Sequence, residues 1–97
     1  MTESFEFEWD LEKAHANLRK HNVPFLKATE VFSDPMRLER PDEFEEYEEE
    51  RWITLGLAEQ TVLVVIFTLR DRHIRLISAR RATYGEQRAY WSGYIPS

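Results

Sequence analysis

The feature that most constrains this chain is a continuous apolar run, Val62–Phe67, followed by a second strand-like segment that carries arginine. Six apolar residues in a row are typical of a strand that is buried on both faces. The next segment, residues 74–81, mixes apolar residues with arginine and ends in Arg80 and Arg81. Because burying an unpaired guanidinium is costly, we expect these arginines where the strand leaves the core and meets an anionic partner. The pattern predicts a sheet with a cationic margin suited to phosphate.

Patterning along the rest of the chain predicts an α+β fold in a single domain, residues 1–97. The predicted strands are residues 5–9, 36–40, 51–57, 61–69 and 73–79, and the predicted helices are residues 11–21, 24–32 and 84–92. Short turns between the last three strands favour an antiparallel meander. We therefore expect an antiparallel β-sheet with two N-terminal helices and one C-terminal helix packed against one of its faces.

The ends of the predicted helices carry specific signals. Asp10 is placed to cap the first helix, and Asn22 suits the left-handed conformation that ends it. We expect Leu11, Ala14 and Leu18 to form the buried stripe of that helix. The C-terminal helix begins with a capping-box pattern, Thr-Tyr-Gly-Glu at 83–86.

Composition and charge narrow the class of protein. The 97 residues include no cysteine, which excludes disulfides and thiolate metal sites. The N-terminus resembles no signal peptide and no apolar run is long enough to span a bilayer, so we expect a cytoplasmic protein without membrane contact. Although the net charge is −5, residues 42–50 hold seven of the 18 acidic groups and no basic one. The remainder has 13 basic residues against 11 acidic ones, so a local positive surface is compatible with an acidic chain.

The first predicted helix aligns polar residues that suit phosphodiester chemistry. Lys13, Asn17 and Lys20 are spaced i, i+4, i+7, and His21 lies one turn beyond Asn17. Lysines can contact a phosphodiester backbone, and an imidazole can take or give a proton near neutral pH. The alternative is an ordinary exposed helix face. The three histidines lack metal-ligand spacing, and no cofactor-binding motif is present, so we predict neither a metal nor a cofactor.

A second group of candidates consists of arginines on the predicted strands. Strict alternation would put Arg75 and Arg81 on one face of the last strand and Arg80 on the other. Arg51 begins the first meander strand, so we expect it near Arg75 or Arg80. Converging arginines can bind a scissile phosphate and stabilise the charge of its transition state. The alternative is that an arginine pairs with Glu39 or with the acidic segment 42–50 for structure alone.

Taken together, these patterns resemble the BrnT family, small toxins of type II toxin–antitoxin systems. The resemblance covers nearly the whole chain in order. The residues that carry it are Phe7–Asp10, Lys13, Asn17, Lys20, His21, Phe25, Ala28, Val31, Phe32, Asp34, Pro35, Arg51–Gly56, Ile74–Ala82, Glu86 and Tyr90. Where the family usually has glycine after the Lys-His pair, this chain has Asn22.

The resemblance implies a RelE-like fold and a ribonuclease that inhibits translation by metal-independent RNA cleavage. It implies a partner, a BrnA-like antitoxin with a ribbon–helix–helix DNA-binding part, in a heterotetramer that touches DNA only through the antitoxin. By this resemblance Lys20, His21, Arg51 and Arg80 are the candidate catalytic residues. The candidate RNA-binding residues are Lys13, Asn17, Arg75 and Arg81.

The catalytic hypothesis requires that the end of the first helix and the cationic margin of the sheet form one common pocket. The alternative function is a non-catalytic protein-binding module of the same fold that acts as a regulatory partner, in which the arginines are structural.

Overall fold

The computed structural model describes residues 6–43 and 49–94, so Phe5 and residues 44–48 of the acidic segment lie outside the described residues. The elements in chain order are β1 (Glu6–Glu8), α1 (Leu11–His21), α2 (Phe25–Ala28), a 3₁₀ helix (Thr29–Ser33), β2 (Leu38–Pro41), β3 (Trp52–Ala58), β4 (Thr61–Arg70), β5 (His73–Arg81) and α3 (Tyr84–Ser92). The predicted α+β class is confirmed, and each predicted strand or helix has a counterpart near its expected position. The second helix is the one that changes character, because it tightens to 3₁₀ geometry after one α-helical turn.

The predicted helix ends are confirmed. The Asp10 side chain accepts a hydrogen bond from the Glu12 backbone N–H, and Asn22 ends α1 in the left-handed conformation, with φ of 58°. Thr83 and Glu86 form both bonds of a capping box at the start of α3. These side chains satisfy backbone groups that a helix end leaves unpaired.

The five strands form one mixed sheet in the order β1-β5-β4-β3-β2. The meander β3-β4-β5 and the edge strand β2 are antiparallel as predicted. The prediction of a wholly antiparallel sheet is wrong, because β1 pairs in parallel with β5. No hairpin turn joins these two strands, since the helices and the meander separate them in sequence, and so the direction of pairing is not set by local geometry.

Helices cover both faces of the sheet rather than the single face that was predicted. Val65 and Phe67 of β4 pack with Val31 and Phe32 in one apolar cluster. Val64, the intervening residue, packs with residues of a second cluster that includes Tyr90 of α3. Because successive strand residues point to opposite faces, the two clusters lie on opposite sides. We call the side of α2 the helix face and the side of α3 the open face.

A β-bulge in β5 changes which of its residues share a face. Ile66 pairs with Ser78 while Phe67 pairs with Leu76, so β5 has one extra residue at this point. As a result, Leu76 and Ala79 both belong to the helix-face cluster although they are three residues apart. The strict alternation expected for this strand is therefore wrong. The shift places Arg75 and Arg80 on the same face, the open one.

The inward side of α1 also differs from the prediction. Leu11 and Leu18, expected to be buried, are 68% and 43% exposed, whereas Asn17 is only 6% exposed. Ala14 is partly buried against the helix-face core. α1 thus turns the polar residue Asn17 inward, where its side chain forms hydrogen bonds with the backbone of Ala79.

A carboxylate fixes α3 over one end of the open face. Asp34 Oδ2 accepts hydrogen bonds from the Leu57 backbone N–H at 2.9 Å and from the Tyr90 hydroxyl at 2.5 Å. Burial raises the pKa of Asp34, but the hydrogen bonds from Tyr90, Leu57 and Met36 outweigh it, so the pKa lies below its ordinary value. Burial, together with the neighbouring Asp34, raises the pKa of Tyr90 to about 12. These contacts tie α3 to β3 and leave the rest of the open face uncovered.

Gly56 allows the 3₁₀ helix to pack closely on β3. A Cβ at this position would lie 2.8 Å from Val31 Cβ and 3.2 Å from the Val31 carbonyl oxygen. Real Cβ atoms essentially never approach another heavy atom as closely as the first of these distances.

The described part of the chain contains no helix with the length and hydropathy needed to cross a membrane.

Candidate functional site

The open face carries the arginines in rows that follow from the strand register. Arg75 of β5 lies opposite Thr68 of β4, and Arg80 lies opposite Val64, four residues further along. Arg40 of β2 lies opposite Ile53 of β3. Ile53 and Ile66 pair between these rows, so aliphatic residues form a floor and cationic residues surround it. The bulge in β5 is what brings both β5 arginines onto this side.

One cavity on the open face, about 280 Å³ in volume, is strongly cationic, and we call it the Arg75 cavity. Its lining residues are Lys13, Glu49, Arg51, Thr68, Arg70, Arg75 and Ile77. Four cations face one carboxylate here, which gives these residues a net charge of +3. Such an arrangement attracts a polyanion, because fields of like charges add within a concave surface. The expectation that Arg51 lies near Arg75 is confirmed.

A second cavity of about 280 Å³ lies between the sheet and α3, and we call it the Arg80 cavity. Its lining residues are Arg40, Ile53, Leu55, Val64, Ile66, Arg80, Gly85, Glu86 and Ala89. Four of these are aliphatic strand residues that form the floor, and two are arginines. This cavity is therefore much less charged than the Arg75 cavity.

The expectation of one pocket that contains both Arg51 and Arg80 is wrong. Leu55 pairs with Val64, which pairs with Arg80, and Arg51 precedes Leu55 by four residues. With about 3.3 Å per residue along a strand and about 4.8 Å between strands, the two arginine Cα atoms lie roughly 16 Å apart. Two guanidiniums at this separation suit different phosphates of one strand better than a single phosphate.

The arginines of the Arg75 cavity have carboxylate partners. Arg75 Nη1 lies 3.1 Å from Glu8 Oε2, and Arg70 donates two hydrogen bonds to the Glu49 carboxylate. The hydrogen bond from Arg70 is the main reason that the pKa of Glu49 lies below its ordinary value. The expected structural alternative, an arginine paired with the acidic segment, is thus realised by Arg70. The Arg70–Glu49 pair is exposed, so it can exchange for another anion at small cost, whereas the Arg75–Glu8 pair is partly buried.

Arg80 is held by a stronger pair. Its Nη1 and Nη2 donate to Glu86 Oε1 and Oε2 at 2.8 and 2.9 Å, and Glu86 Oε1 also accepts from the Thr83 backbone N–H. The bond from Arg80 lowers the pKa of Glu86 from 4.5 to about 2. A guanidinium has five N–H groups, and a further bond goes to the Arg81 carbonyl oxygen, so two N–H groups have no partner among the described residues. The pair therefore orients Arg80 while leaving donors for an anion.

Asn17 does not occupy a position suited to RNA contact. Its Nδ2 donates to the carbonyl oxygens of Val23 and Ala79 at 3.0 and 2.8 Å, and its Oδ1 accepts from the Ala79 N–H at 3.0 Å. The side chain thus pairs with the edge of β5 as a neighbouring strand would, beyond the point where β1 ends. Because the buried amide is fully used, the predicted role of Asn17 in RNA binding does not fit the structure.

The same bonds indicate where the end of α1 lies. Lys13 lines a cavity with Arg75, and Asn17, one turn later, bonds to Ala79. The contacts advance in the same sense along both elements, from Lys13 to Asn17 and from Arg75 to Ala79, so α1 runs alongside β5 in the same direction. From this direction we expect the last turn of α1 to approach the end of β5 that carries Arg80 and Arg81. His21 is half-buried, whereas Lys20 and Arg81 are exposed, and neither Lys20 nor His21 lines the two cavities.

The predicted residues are therefore not brought together in one pocket. Lys13, Arg51 and Arg75 share the Arg75 cavity. Arg80 lines the Arg80 cavity further along the open face, whereas Arg81 pairs with Leu63 and so points to the helix face. Sequence reasoning missed Arg40, which lines the Arg80 cavity. The sequence does indicate which face it lies on, because Leu38 and Arg40 are two residues apart on the predicted edge strand and so share one face.

Within residues 6–43 and 49–94, no three histidine or acidic side chains come together as a metal site.

A family model described as "Ribonuclease toxin, BrnT, of type II toxin-antitoxin system" matches residues 9–86. The chain belongs to this family. The match spans most of the 97 residues and includes all the candidate residues on α1, β3 and β5. A search of curated proteins finds no match.

Membership of the BrnT family assigns this toxin a general activity, ribonuclease action within a type II toxin–antitoxin system. It confirms the resemblance on which the sequence analysis relied.

Proposed function

We propose that this BrnT toxin is a metal-independent endoribonuclease that binds single-stranded RNA across the open face and thereby inhibits translation. The single observation that supports this site best is the Arg75 cavity, in which Lys13, Arg51 and Arg75 lie together with a net positive charge. RNA affinity of this kind depends mainly on neutralising phosphates. The Arg75 cavity then holds a phosphate that flanks the bond to be cleaved.

In the proposed reaction the RNA 2′-hydroxyl attacks the adjacent phosphorus, and the P–O5′ bond breaks. The products are a 2′,3′-cyclic phosphate and a free 5′-hydroxyl, and the proton lost by the nucleophile is balanced by one gained by the leaving group. His21 exchanges these protons, since imidazole suits general acid–base catalysis near neutral pH. Lys20 stabilises the ionising hydroxyl or binds the phosphate beside it.

Arg80 binds the scissile phosphate in this scheme, because the direction of α1 along β5 would bring Lys20 and His21 toward the same end of the strand. Its pair with Glu86 fixes the guanidinium before RNA arrives, which removes part of the cost of orienting it. Arg51 acts on a neighbouring phosphate rather than the scissile one, given its distance from Arg80. Arg81 and Lys13 contact the backbone on either side.

We further propose that the partner is a BrnA-like antitoxin with a ribbon–helix–helix DNA-binding part, in a heterotetramer that reaches DNA only through the antitoxin. A type II system requires a protein that neutralises the toxin, and the family match supports that requirement. The proposed place of action is the cytoplasm, where RNA and ribosomes are found.

The decisive experiment incubates the purified toxin with a defined RNA in EDTA and maps both new ends. We expect cleavage that survives the chelator, with cyclic phosphate and 5′-hydroxyl ends. Loss of cleavage in EDTA, or products with 5′-phosphate ends, would contradict the mechanism. A cell-free translation reaction that retains full output after addition of active toxin would contradict the link to translation.

The variants need controls because Arg80 also has a structural pair. Replacing Arg80 alone leaves the Glu86 carboxylate unpaired, so the double variant R80A/E86Q separates catalysis from that penalty. Arg88 is an exposed arginine of the same helix as Glu86, stacked over the Tyr84 ring, and R88A serves as the matched control. We expect R80A/E86Q to lose activity about 10²-fold or more and R88A to retain it.

A further inference from the structure

The Arg80 cavity differs in chemistry from the Arg75 cavity, although both lie on the open face and have similar volumes of about 280 Å³. The floor of the Arg80 cavity consists of Ile53, Leu55, Val64 and Ile66. A bare phosphate gains nothing from such a floor, because aliphatic surface rewards contact with apolar groups. The cavity therefore suits a ligand that has both an apolar plane and an anionic group.

Arg40 contributes an unusual donor to this cavity. Its Nε atom is buried and donates no hydrogen bond among the residues that the structure describes, whereas its Nη1 donates to the Pro41 carbonyl oxygen at 3.2 Å. Buried donors without an acceptor are uncommon in folded proteins, since each forfeits the hydrogen bonds it made to water. Because the atom is closed to solvent, an oxygen of a bound ligand would reach it only after the Arg40 side chain turns toward the cavity, and an anionic oxygen would reward that turn most.

Gly85 leaves one side of the cavity open. It lines the cavity from the first turn of α3, and a Cβ built there meets no heavy atom within 4 Å outside its excluded neighbours. Glycine is a poor helix former, about 1 kcal/mol worse than alanine, so its presence has no benefit for helix stability. Its effect is space above the aliphatic floor.

We propose that the Arg80 cavity binds one nucleotide of single-stranded RNA, with its base against Ile53 and Ile66 and a phosphate oxygen on the Arg40 guanidinium. The volume is near the lower end of the roughly 300–1,000 Å³ that is usual for small-ligand sites. Proteins that read single-stranded RNA take bases out of the stack in this way. This inference deepens the proposed function and rests on it, because it assigns a base-binding subsite next to Arg80.

The position of the cavity suits selection of the cleavage site. Arg80 lines the same cavity and is the proposed ligand of the scissile phosphate, so the bound base belongs to a nucleotide at that phosphate. Bases differ in size and in the groups on their edges, and the cavity is bounded by Glu86 on α3. The subsite therefore determines which base is accepted beside the cleaved bond.

The test uses nucleoside 3′-monophosphates of all four bases as probes, with inorganic phosphate as the comparison. Binding is followed by NMR of the full chain with labelled isoleucine, leucine and valine methyl groups. We expect the nucleotides to shift the methyl signals of Ile53 and Ile66 and phosphate to leave them nearly unchanged. R40Q removes the Nε donor and should weaken nucleotide binding about tenfold.

A second variant, G85L, tests nucleotide binding in the cavity without destabilising the fold. G85L adds a side chain where space is available and replaces a poor helix former, so the free energy of unfolding should hold or rise. The side chain should nevertheless narrow the cavity and weaken nucleotide binding at least tenfold. R72A, at the exposed turn between β4 and β5, removes an arginine outside the cavity and should bind as the parent does.

The inference is overturned if the nucleotides shift only the methyl signals of Ile77 in the Arg75 cavity. It is also overturned if the nucleotide affinities of R40Q and G85L lie within twofold of the parent's. These outcomes are separable from the proposed function. Nucleotide binding here without RNA cleavage would support the subsite and contradict the endoribonuclease. Cleavage in EDTA by a chain that fails these binding tests would do the reverse.

Discussion

Replacing Glu86 with glutamine should destabilise the fold in a way that depends on pH. The pKa of Glu86 is lowered from 4.5 to about 2, chiefly by the hydrogen bond from Arg80. At about 1.4 kcal/mol per pKa unit, that difference has an upper limit of about 3 kcal/mol. Arg80 and Glu86 side chains are 39% and 31% exposed, so solvent screening reduces the expected contribution to about 1–2 kcal/mol.

The sign of the pH dependence follows from the direction of the pKa change. A carboxyl group with a lowered pKa in the folded state stabilises it fully above pH 4.5, and this stabilisation is lost as the pH falls toward about 2. E86Q cannot titrate, although its amide oxygen can still accept the bond from the Thr83 N–H. The variant should therefore be about 1–2 kcal/mol less stable than the parent at pH 7, and the difference should shrink at pH 3.

Urea unfolding at pH 7, 4.5 and 3, followed by circular dichroism, measures these differences. E30Q is the matched control, because Glu30 is an exposed glutamate on the 3₁₀ helix, and its effect should stay within about 0.5 kcal/mol. A loss for E86Q that is equal at pH 7 and pH 3 would refute the electrostatic reasoning. A loss no larger than that of E30Q would refute the importance of the pair.

Three further predictions concern the fold that supports the site. Y90F removes the hydroxyl that donates to Asp34 and should lower the free energy of unfolding by about 1–2 kcal/mol in urea titrations. The effect should shrink only as the pH falls below 3.8 toward the lower pKa that Asp34 has in the folded state. G56A should destabilise by about 1–3 kcal/mol in the same assay, because the new Cβ overlaps Val31, whereas G85A, with open space, should not. N17D replaces the amide donor by a buried carboxylate that faces two carbonyl oxygens, so we expect the free energy of unfolding to fall by about 3–5 kcal/mol. Hydrogen exchange at the Ala79 amide should become faster, and exchange at the parent rate would contradict the pairing of Asn17 with the edge of β5.

Local signals in the sequence predicted the elements well. The caps at Asp10, Asn22 and Thr83 depend on residues within a few positions of each other, and all three were predicted. The apolar run of β4 likewise needs no distant partner to be recognised. Pairing of β1 with β5 was missed because it joins segments far apart in the sequence, for which no turn geometry sets the direction.

The candidate site was predicted in its residue types rather than in its geometry. One extra residue in β5 put Arg80 on the open face with Arg75, and a bulge leaves no clear mark in the amino-acid pattern. Asn17 was misread because the spacing i, i+4, i+7 is the same for an exposed stripe and for a helix that lies against a strand edge. For Arg40, the sequence pattern indicates only that it shares a face with Leu38, and the cavity that it lines with residues of β3, β4 and α3 is visible only in the fold.

The measurement that bears most directly on the proposed RNA chemistry is the rate of RNA cleavage in EDTA by H21A beside R19A. Both variants lose a basic residue from the last turns of α1, but His21 is half-buried whereas Arg19 is exposed. The account predicts a fall of about 10²–10⁴-fold for H21A and a parent-like rate for R19A. Equal rates for the two variants would contradict it.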